Sequence, residues 1–331
     1  MHPVISCHKD LHVKRNARVL SCGSAAVERT ETAARMNGLI YNVQRFSTHD
    51  GPGIRTAVFF KGCSLRCLWC HNPESISCGR ALAFHEERCI GCGRCLAACP
   101  RGAQQVDMAD RHWVDRSQCT VCLACADVCY ADALTGIGEA ITVDALLRRL
   151  ETDRPYYDAS GGGVTFTGGE CLLQAGFLSE AAAACMASGI RVAVDTAGHV
   201  PWSAFEALLP YTELFLYDIK AADPQVHERL TGCRNERILD NLRRLCAAGK
   251  RVIVRIPFVP DANGGEIDGI GRLLAGLPVE QVELLPYHRL GEGKKASLGE
   301  TADGNRFRVP TQAEIDTAVA VLSAHGLNVT A

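Results

Sequence analysis

From Gly38 onward, short apolar runs alternate with longer amphipathic stretches. Residues 39–43 and the β-branched and aromatic run 56–60, which ends at Lys61-Gly62-Cys63, both predict strands. A block at about 79–138 is dense in cysteine and poor in long apolar periods, and after it the alternation returns. Helix-like 143–150 precedes a strand at 164–167, 172–188 precedes 191–195, and 201–209 precedes 214–219. The series continues with 236–248 before 252–258 and 267–277 before 282–285, and a helix at 312–325 closes the chain. Apolar strands separated by amphipathic helices predict parallel βαβ units. About six such units predict an α/β fold, either a partial (β/α)6 barrel or a curved doubly wound sheet.

Each strand after the cysteine block ends in a polar or glycine-rich cluster. These are Gly168-Gly169-Glu170, Asp195-Thr196, Asp218-Ile219-Lys220, Arg255 with Pro257, and Tyr287-His288. Parallel folds build their sites at the C-terminal ends of their strands. One such cluster reads as an ordinary βα turn, but five in register mark that edge as functional. The expected organisation is a flexible tail over 1–36, the first part of the barrel over 37–78, an insert over 79–140 and the remaining barrel over 141–331. The tail mixes Lys14, Arg15 and Arg18 with small residues and has no period, and translation from Met36 is an alternative.

Composition narrows the classes. With 331 residues, 47% of them hydrophobic and 22% charged, the chain has material for a full core and is not a disordered protein. No apolar stretch approaches the about 20 residues that cross a bilayer. A formal charge of −2 gives no broad grip on nucleic acid or anionic lipid. The 18 cysteines are the anomaly. Disulfide scaffolds are usually short secreted chains, and no secretory leader is visible, so thiolate ligands in a reducing cytoplasm are expected.

The first set, Cys63-x3-Cys67-x2-Cys70, directly follows a predicted strand. Soft thiolates select Zn, Cu(I) or iron–sulfur clusters. A closed zinc site needs a fourth ligand, for which His71 and Cys78 are candidates. The alternative is a three-cysteine cluster whose open iron chelates an amino acid's amine and carboxylate. The second and third sets, Cys89-x2-Cys92-x2-Cys95-x3-Cys99-Pro100 and Cys119-x2-Cys122-x2-Cys125-x3-Cys129, repeat the ferredoxin spacing for two [4Fe–4S] clusters. The fourth cysteine of such a run ligates the other cluster. The expected cages are therefore Cys89, Cys92, Cys95 and Cys129, and Cys119, Cys122, Cys125 and Cys99. Zinc ribbons do not use this spacing, and Tyr130 departs from the pattern by standing where proline follows the first run. Of the other cysteines, Cys185 and Cys246 are core candidates, Cys171 beside Glu170 draws notice, and Cys7, Cys22, Cys78 and Cys233 are read as small buried or tail residues.

Asp50-Gly51-Pro52-Gly53-Ile54-Arg55, followed by the three-cysteine loop and His71-Asn72-Pro73-Glu74, resembles the radical S-adenosylmethionine (SAM) superfamily. It is similar in particular to the activating enzymes of glycyl radical enzymes, such as the pyruvate formate-lyase activase. The likeness runs from about Gly38 to Leu298. It takes in Thr167-Gly168-Gly169-Glu170, Asp195-Thr196-Ala197-Gly198, Asp218-Ile219-Lys220, Arg255-Ile256-Pro257 and Leu285-Pro286-Tyr287-His288-Arg289-Leu290-Gly291. The resemblance implies a partial TIM-like barrel with a ferredoxin-like insert and a SAM-binding [4Fe–4S] cluster on Cys63, Cys67 and Cys70. It further implies that reductive cleavage of SAM yields a 5′-deoxyadenosyl radical that takes hydrogen from a glycine of a partner enzyme.

Site roles follow from the same resemblance. Gly168, Gly169 and Glu170 meet the SAM amine, and Lys220 meets its carboxylate or ribose. His288, Trp69 and Asn72 lie near ribose and adenine. Asp195, Thr196, Asp218 and Asp50 match positions that hold a monovalent cation. Arg255 binds cofactor or pairs with Asp218. The family usually has proline where this chain has Cys171, which is expected to loosen the turn. The pyruvate formate-lyase activase lacks such an insert, whereas activases for choline, glycerol, hydroxyproline, arylacetate and sulfonate enzymes carry it. The implied partners are a glycyl radical enzyme and an electron donor such as flavodoxin or ferredoxin, with no nucleic acid or membrane. The competing readings are a radical SAM enzyme acting on a small molecule and a non-catalytic iron–sulfur electron carrier.

Overall fold

The computed structural model describes residues 37–300 and 307–331, and the predicted tail lies outside the described residues. The chain lays down β1 (Gly38–Ser47) and β2 (Arg55–Phe60) before the insert. The insert carries β3 (Ala81–Phe84), α1 (Arg94–Ala98), β4 (Gln104–Val106), β5 (His112–Val114), α2 (Ala124–Asp127) and β6 (Leu134–Ile137). Then come β7 (Glu139–Ile141), α3 (Val143–Glu151), α4 (Arg154–Ser160), β8 (Gly163–Gly168), α5 (Ala175–Ala187) and β9 (Arg191–Thr196). Next are α6 (Trp202–Glu206), β10 (Leu214–Asp218), α7 (Pro224–Thr231), α8 (Glu236–Ala247) and β11 (Arg251–Phe258). The last elements are α9 (Pro260–Asn263), α10 (Ile267–Leu274), β12 (Gln281–Pro286), α11 (Glu292–Ser297), α12 (Gln312–Ala324) and β13 (Val329–Thr330).

The large sheet has the order β13-β12-β11-β10-β9-β8-β2-β1-β7 and does not close on itself. From β2 through β8 to β13 every neighbouring pair is parallel, as the alternating pattern predicts. The edge differs, because β1 runs antiparallel to both β2 and β7. β7 pairs with β1 from Ile141 to Glu139, so the chain has rejoined the large sheet by Glu139. β13 extends the sheet beyond the helix expected to end the chain, since two residues are too few to show a period. The helices α4 and α7 also went unpredicted. Asp223 caps α7 by accepting from the Gln225 and Val226 N–H groups at 2.7 and 2.9 Å, and Pro224 supplies the preset first residue.

Alternate residues of the strands face two environments. Val192 and Val194, Phe215 and Tyr217, and Val252, Val254 and Ile256 join the main core under the helices. Ala193, Leu214, Leu216 and Ile253 form a separate cluster on the opposite face. The next residues along that second face are Asp195, Asp218 and Arg255. That face thus turns from apolar to charged toward the strand C-termini. Among the described residues no helix is long and apolar enough to cross a membrane.

Phe166 is fully buried and packs edge-on to Phe60, with ring centres 6.0 Å apart. Phe166→Ala is expected to cost about 3–5 kcal/mol in urea unfolding, and a loss below about 1 kcal/mol would contradict its place in the core.

Candidate active site

Beyond Phe60 the chain crosses the C-terminal edge of the sheet as a loop, and backbone hydrogen bonds hold that loop from three directions. Its arms close on each other through Gly62 N–H to Ser75 O at 2.7 Å and Cys63 N–H to Ile76 O at 3.1 Å. From the β8 side, Glu170 N–H reaches Gly62 O at 2.7 Å. From the end of α7, Thr231 O and Leu230 O accept from Arg66 and Leu68 N–H at 2.7 and 3.0 Å. Gly168 and Gly169 make the approach possible. A Cβ on Gly168, which has φ 122°, would stand 2.2 Å from Phe60 N, and one on Gly169 would stand 2.3 Å from Gly62 O.

Cys63, Cys67 and Cys70 line one cavity of about 260 Å³ at this edge. Trp69, Asn72, Gly168, Gly169, Asp195, Lys220 and His288 line it too, so seven of the predicted cofactor residues converge there. Thr196 and Asp218 also face it. Trp69 packs edge-on to Phe307 and His71 edge-on to His288, with ring centres 6.2 and 4.5 Å apart. Burial pushes the Cys63 and Cys67 thiols up to about 12 and Cys70 to about 11. Thiols so placed keep their protons until a metal displaces them. Burial, His288 and Lys294 lower the pKa of His71. Burial opposes the charge on Lys220, yet Asp218 at 2.5 Å and the nearby Cys67 more than offset it and raise its pKa.

Two predicted residues sit behind the cavity instead of lining it. Glu170 is 1% exposed, and its oxygens lie 2.7 and 2.9 Å from Thr196 Oγ1 while accepting from the N–H groups of Ala197 and Leu172 at 3.1 and 3.3 Å. Burial raises its pKa to about 7 despite those bonds. Arg255 pairs not with Asp218 but with Glu283 at 3.0 Å, Asp195 at 3.5 Å and Asp50 at 3.9 Å, and it donates to His49 O. Asp218 is engaged by Lys220. Burial pushes the Asp195 carboxyl up to about 6 against the pull of Arg255. Cys171, which stands where the resemblance expects proline, is fully buried, and its Sγ lies 3.5 and 3.6 Å from the carbonyls of Phe166 and Asp195. Cys185 and Cys246 are buried as predicted, Cys78 is exposed outside the cavity, and Cys7 and Cys22 lie outside the described residues.

The insert repeats one backbone gesture. Gly91 and Gly93 lie between successive cysteines of the first run with φ 67° and 72°, and Val121 and Leu123 hold the matching places in the second with φ 53° and 67°. A β-branched valine at positive φ is strained and persists only where its surroundings demand it. Left-handed residues of this kind turn successive N–H groups toward one point, the concave nest that receives iron–sulfur clusters. Cys89, Cys92, Cys95 and Cys129 line a second cavity of about 400 Å³. Cys125 has Cys119 and Cys99 as electrostatic neighbours. Among the described residues no three His, Cys, Asp or Glu side chains converge on a single-ion site.

Comparison with known proteins accords with this geometry. The Radical SAM superfamily pattern matches residues 57–274. The chain is 43% identical to an isethionate sulfite-lyase activating enzyme of Desulfovibrio desulfuricans over 80% of its own length and 88% of that protein. It is 39% identical to a (2S)-3-sulfopropanediol dehydratase activating enzyme of Klebsiella oxytoca, over 79% and 86%. It is 34% identical to the pyruvate formate-lyase 2-activating enzyme of Escherichia coli, over 94% and 96%. The chain is a radical SAM activating enzyme of the glycyl-radical class. Its cofactors are accordingly a [4Fe–4S] cluster and SAM.

Sequence reasoning missed two supports of this radical SAM site. Lys294 of α11 donates to Asn72 Oδ1 at 2.9 Å and to Glu74 Oε1 at 2.8 Å, a link across more than 200 residues that no local signal reveals. Thr167, part of the Thr-Gly-Gly-Glu motif but expected to hold no role there, donates to Asp195 Oδ2 at 2.7 Å. The raised Glu170 carboxyl binds its proton more tightly in the folded chain, so its contribution is full below about 4.5 and lost as pH rises through about 7. Relative to Glu170→Gln, the wild type should therefore lose up to about 3 kcal/mol of unfolding free energy across that window. Urea melts at several pH values measure it, and a constant difference between the two proteins would refute the assignment.

Proposed function

We propose that Cys63, Cys67 and Cys70 hold the SAM-binding [4Fe–4S] cluster with one corner free of protein ligands. The supporting observation is that the three thiols share one cavity with Gly168, Gly169, Asp195, Asp218, Lys220 and His288, on a loop too firmly held to be rearranged cheaply. The thiolates suit iron and the cavity's oxygen donors suit an ammonium group, so the residues fit the cofactors in kind. When bound, the cluster and SAM supply the reducing electron and the 5′-deoxyadenosyl radical that abstracts hydrogen from the partner's glycine.

The chain's own residues position and shield. Gly168 and Gly169 offer backbone carbonyls to the amine, and Lys220, held by Asp218, offers a fixed positive charge to the carboxylate or ribose. Trp69 and His288 flank the ribose and adenine, and Asn72 is steadied there by Lys294. Glu170 acts through its neighbours, fixing Thr196 and the Ala197 N–H at the cavity wall. A monovalent cation at Asp50, Asp195, Thr196 and Asp218 would share those carboxylates with Arg255 and Lys220.

We assign two further [4Fe–4S] clusters to the insert, one on Cys89, Cys92, Cys95 and Cys129 and the other on Cys119, Cys122, Cys125 and Cys99. The shared cavity of the first set, the neighbours of Cys125 and the repeated left-handed residues support that crossed pairing. The x2-x2-x3 spacing of both runs suits four-iron clusters rather than zinc ribbons. A flavodoxin or ferredoxin is the proposed electron donor. The relatives are named as activators of a lyase and a dehydratase of different substrates, which supports reading the small-molecule chemistry as the partner's and a glycine Cα as the atom this chain acts on.

Reconstituted protein should carry about twelve irons per chain, and it should form 5′-deoxyadenosine from SAM and reductant. Cys67→Ala should abolish that product, whereas Cys122→Ala should lower cluster content and leave part of it. Full activity in the first variant would overturn the role given to the loop. With the correct partner, a glycine-centred EPR doublet should grow, and its absence alongside active SAM cleavage would point to a small-molecule substrate.

A further inference from the structure

His112 of β5 stands between two cysteines of the first insert cage. Its Nδ1 lies 3.7 Å from Cys89 Sγ, and its Nε2 lies 3.6 Å from Cys95 Sγ and 2.8 Å from Gln104 Oε1. Phe84 meets the ring edge-on at 4.5 Å and limits its rotation. Gln104 is 3% exposed, and its side-chain Nε2 has no hydrogen-bond partner in the orientation drawn.

These contacts select one tautomer once the cage holds a cluster. An iron-bound thiolate has no proton and can only accept. Both ring nitrogens face sulfur, Nδ1 toward Cys89 and Nε2 toward Cys95, but only Nε2 has a second neighbour, the Gln104 amide at 2.8 Å, that can donate to a bare lone pair, so the hydrogen belongs on Nδ1. A neutral imidazole has a single N–H, so Nε2 becomes the acceptor and the group opposite it must donate. Exchanging the oxygen and nitrogen of the Gln104 amide, an assignment made from the hydrogen-bond network alone, supplies that donor without moving an atom. It also gives the buried NH2 group a partner. The sulfur contacts and the 2.8 Å approach of the Gln104 amide thus fit one arrangement, with the amide oxygen taking the place the nitrogen leaves.

We propose that His112 is a potential-tuning residue of the cluster on Cys89, Cys92, Cys95 and Cys129, donating Nδ1–H to the Cys89 sulfur while Gln104 holds its tautomer. The inference rests on the cluster assignment above. Reduction adds one electron and moves no proton; the N–H stabilises the added negative charge and so raises this cluster's midpoint potential. The cage on Cys99, Cys119, Cys122 and Cys125 has the same ligand type, so the imidazole sets two otherwise similar clusters apart and gives the insert a direction for electrons.

EPR-monitored redox titration of the full, reconstituted protein tests this. In His112→Leu, one insert signal should titrate lower by about a tenfold change in the oxidised-to-reduced ratio, about 59 mV for a one-electron couple, while the other signals stay fixed. His112→Asn, whose amide N–H can stand near the Nδ1 position, should restore the wild-type value. No shift in His112→Leu, or an equal shift of both insert signals, would overturn the proposal. Should His112→Leu lose the cluster, the asparagine variant decides alone: a wild-type midpoint supports the donor role and a lowered one refutes it. A wild type holding only about four irons would instead sink the two-cluster assignment, a failure distinct from that of the tuning role.

Discussion

The pairing of β2 with β8 sets the position of everything at the active edge. In that parallel register Phe60 lies opposite Gly168, so the loop leaving β2 and the loop leaving β8 start side by side. Two glycines let them touch backbone to backbone, and Gly169 and Glu170 N–H groups close the contact onto Phe60 and Gly62 at 3.0 and 2.7 Å. A side chain at either glycine would force the strands or the loops apart. The three thiols therefore share one cavity with Gly168 and Gly169 as a consequence of strand register. The same contact sends the Glu170 side chain back toward Thr196, where it braces the wall of the cavity.

Charge is the second organising feature. Asp50, Asp195, Asp218 and Glu283 crowd one face of the sheet, and burying them together would be prohibitive without Arg255 and Lys220 among them. The two cations differ in use. Arg255 spreads a planar guanidinium over three carboxylates beneath the cavity and locks them. Lys220 presents a compact ammonium to the cavity itself, fastened by one carboxylate. A charge held in this way needs little reorganisation when an anionic group arrives.

Much of this was legible in the sequence because its signals are local. Strand–helix alternation and polar strand ends pointed to the edge where the cavity lies, and cysteine spacing marked the three thiol sets. Features that depend on register or on distant packing were not legible. Strand register sets Arg255 between Asp218 and Glu283, and only the side-chain packing shows its guanidinium paired with Glu283 and Asp195 rather than Asp218. Glu170 follows two cavity glycines, yet the turn reverses its direction. Lys294 reaches Asn72 from the far end of the chain, and His112 reaches two cysteines from a three-residue strand, with no motif to announce either.

An iron corner open to SAM underlies the chemistry assigned to this fold. Electron–nuclear double resonance of the reduced protein with SAM labelled at its amino nitrogen and carboxylate oxygens examines that corner. Couplings from both labels to one cluster, lost in Cys63→Ala, are the predicted result. SAM bound in full yet without coupling to any cluster would contradict it.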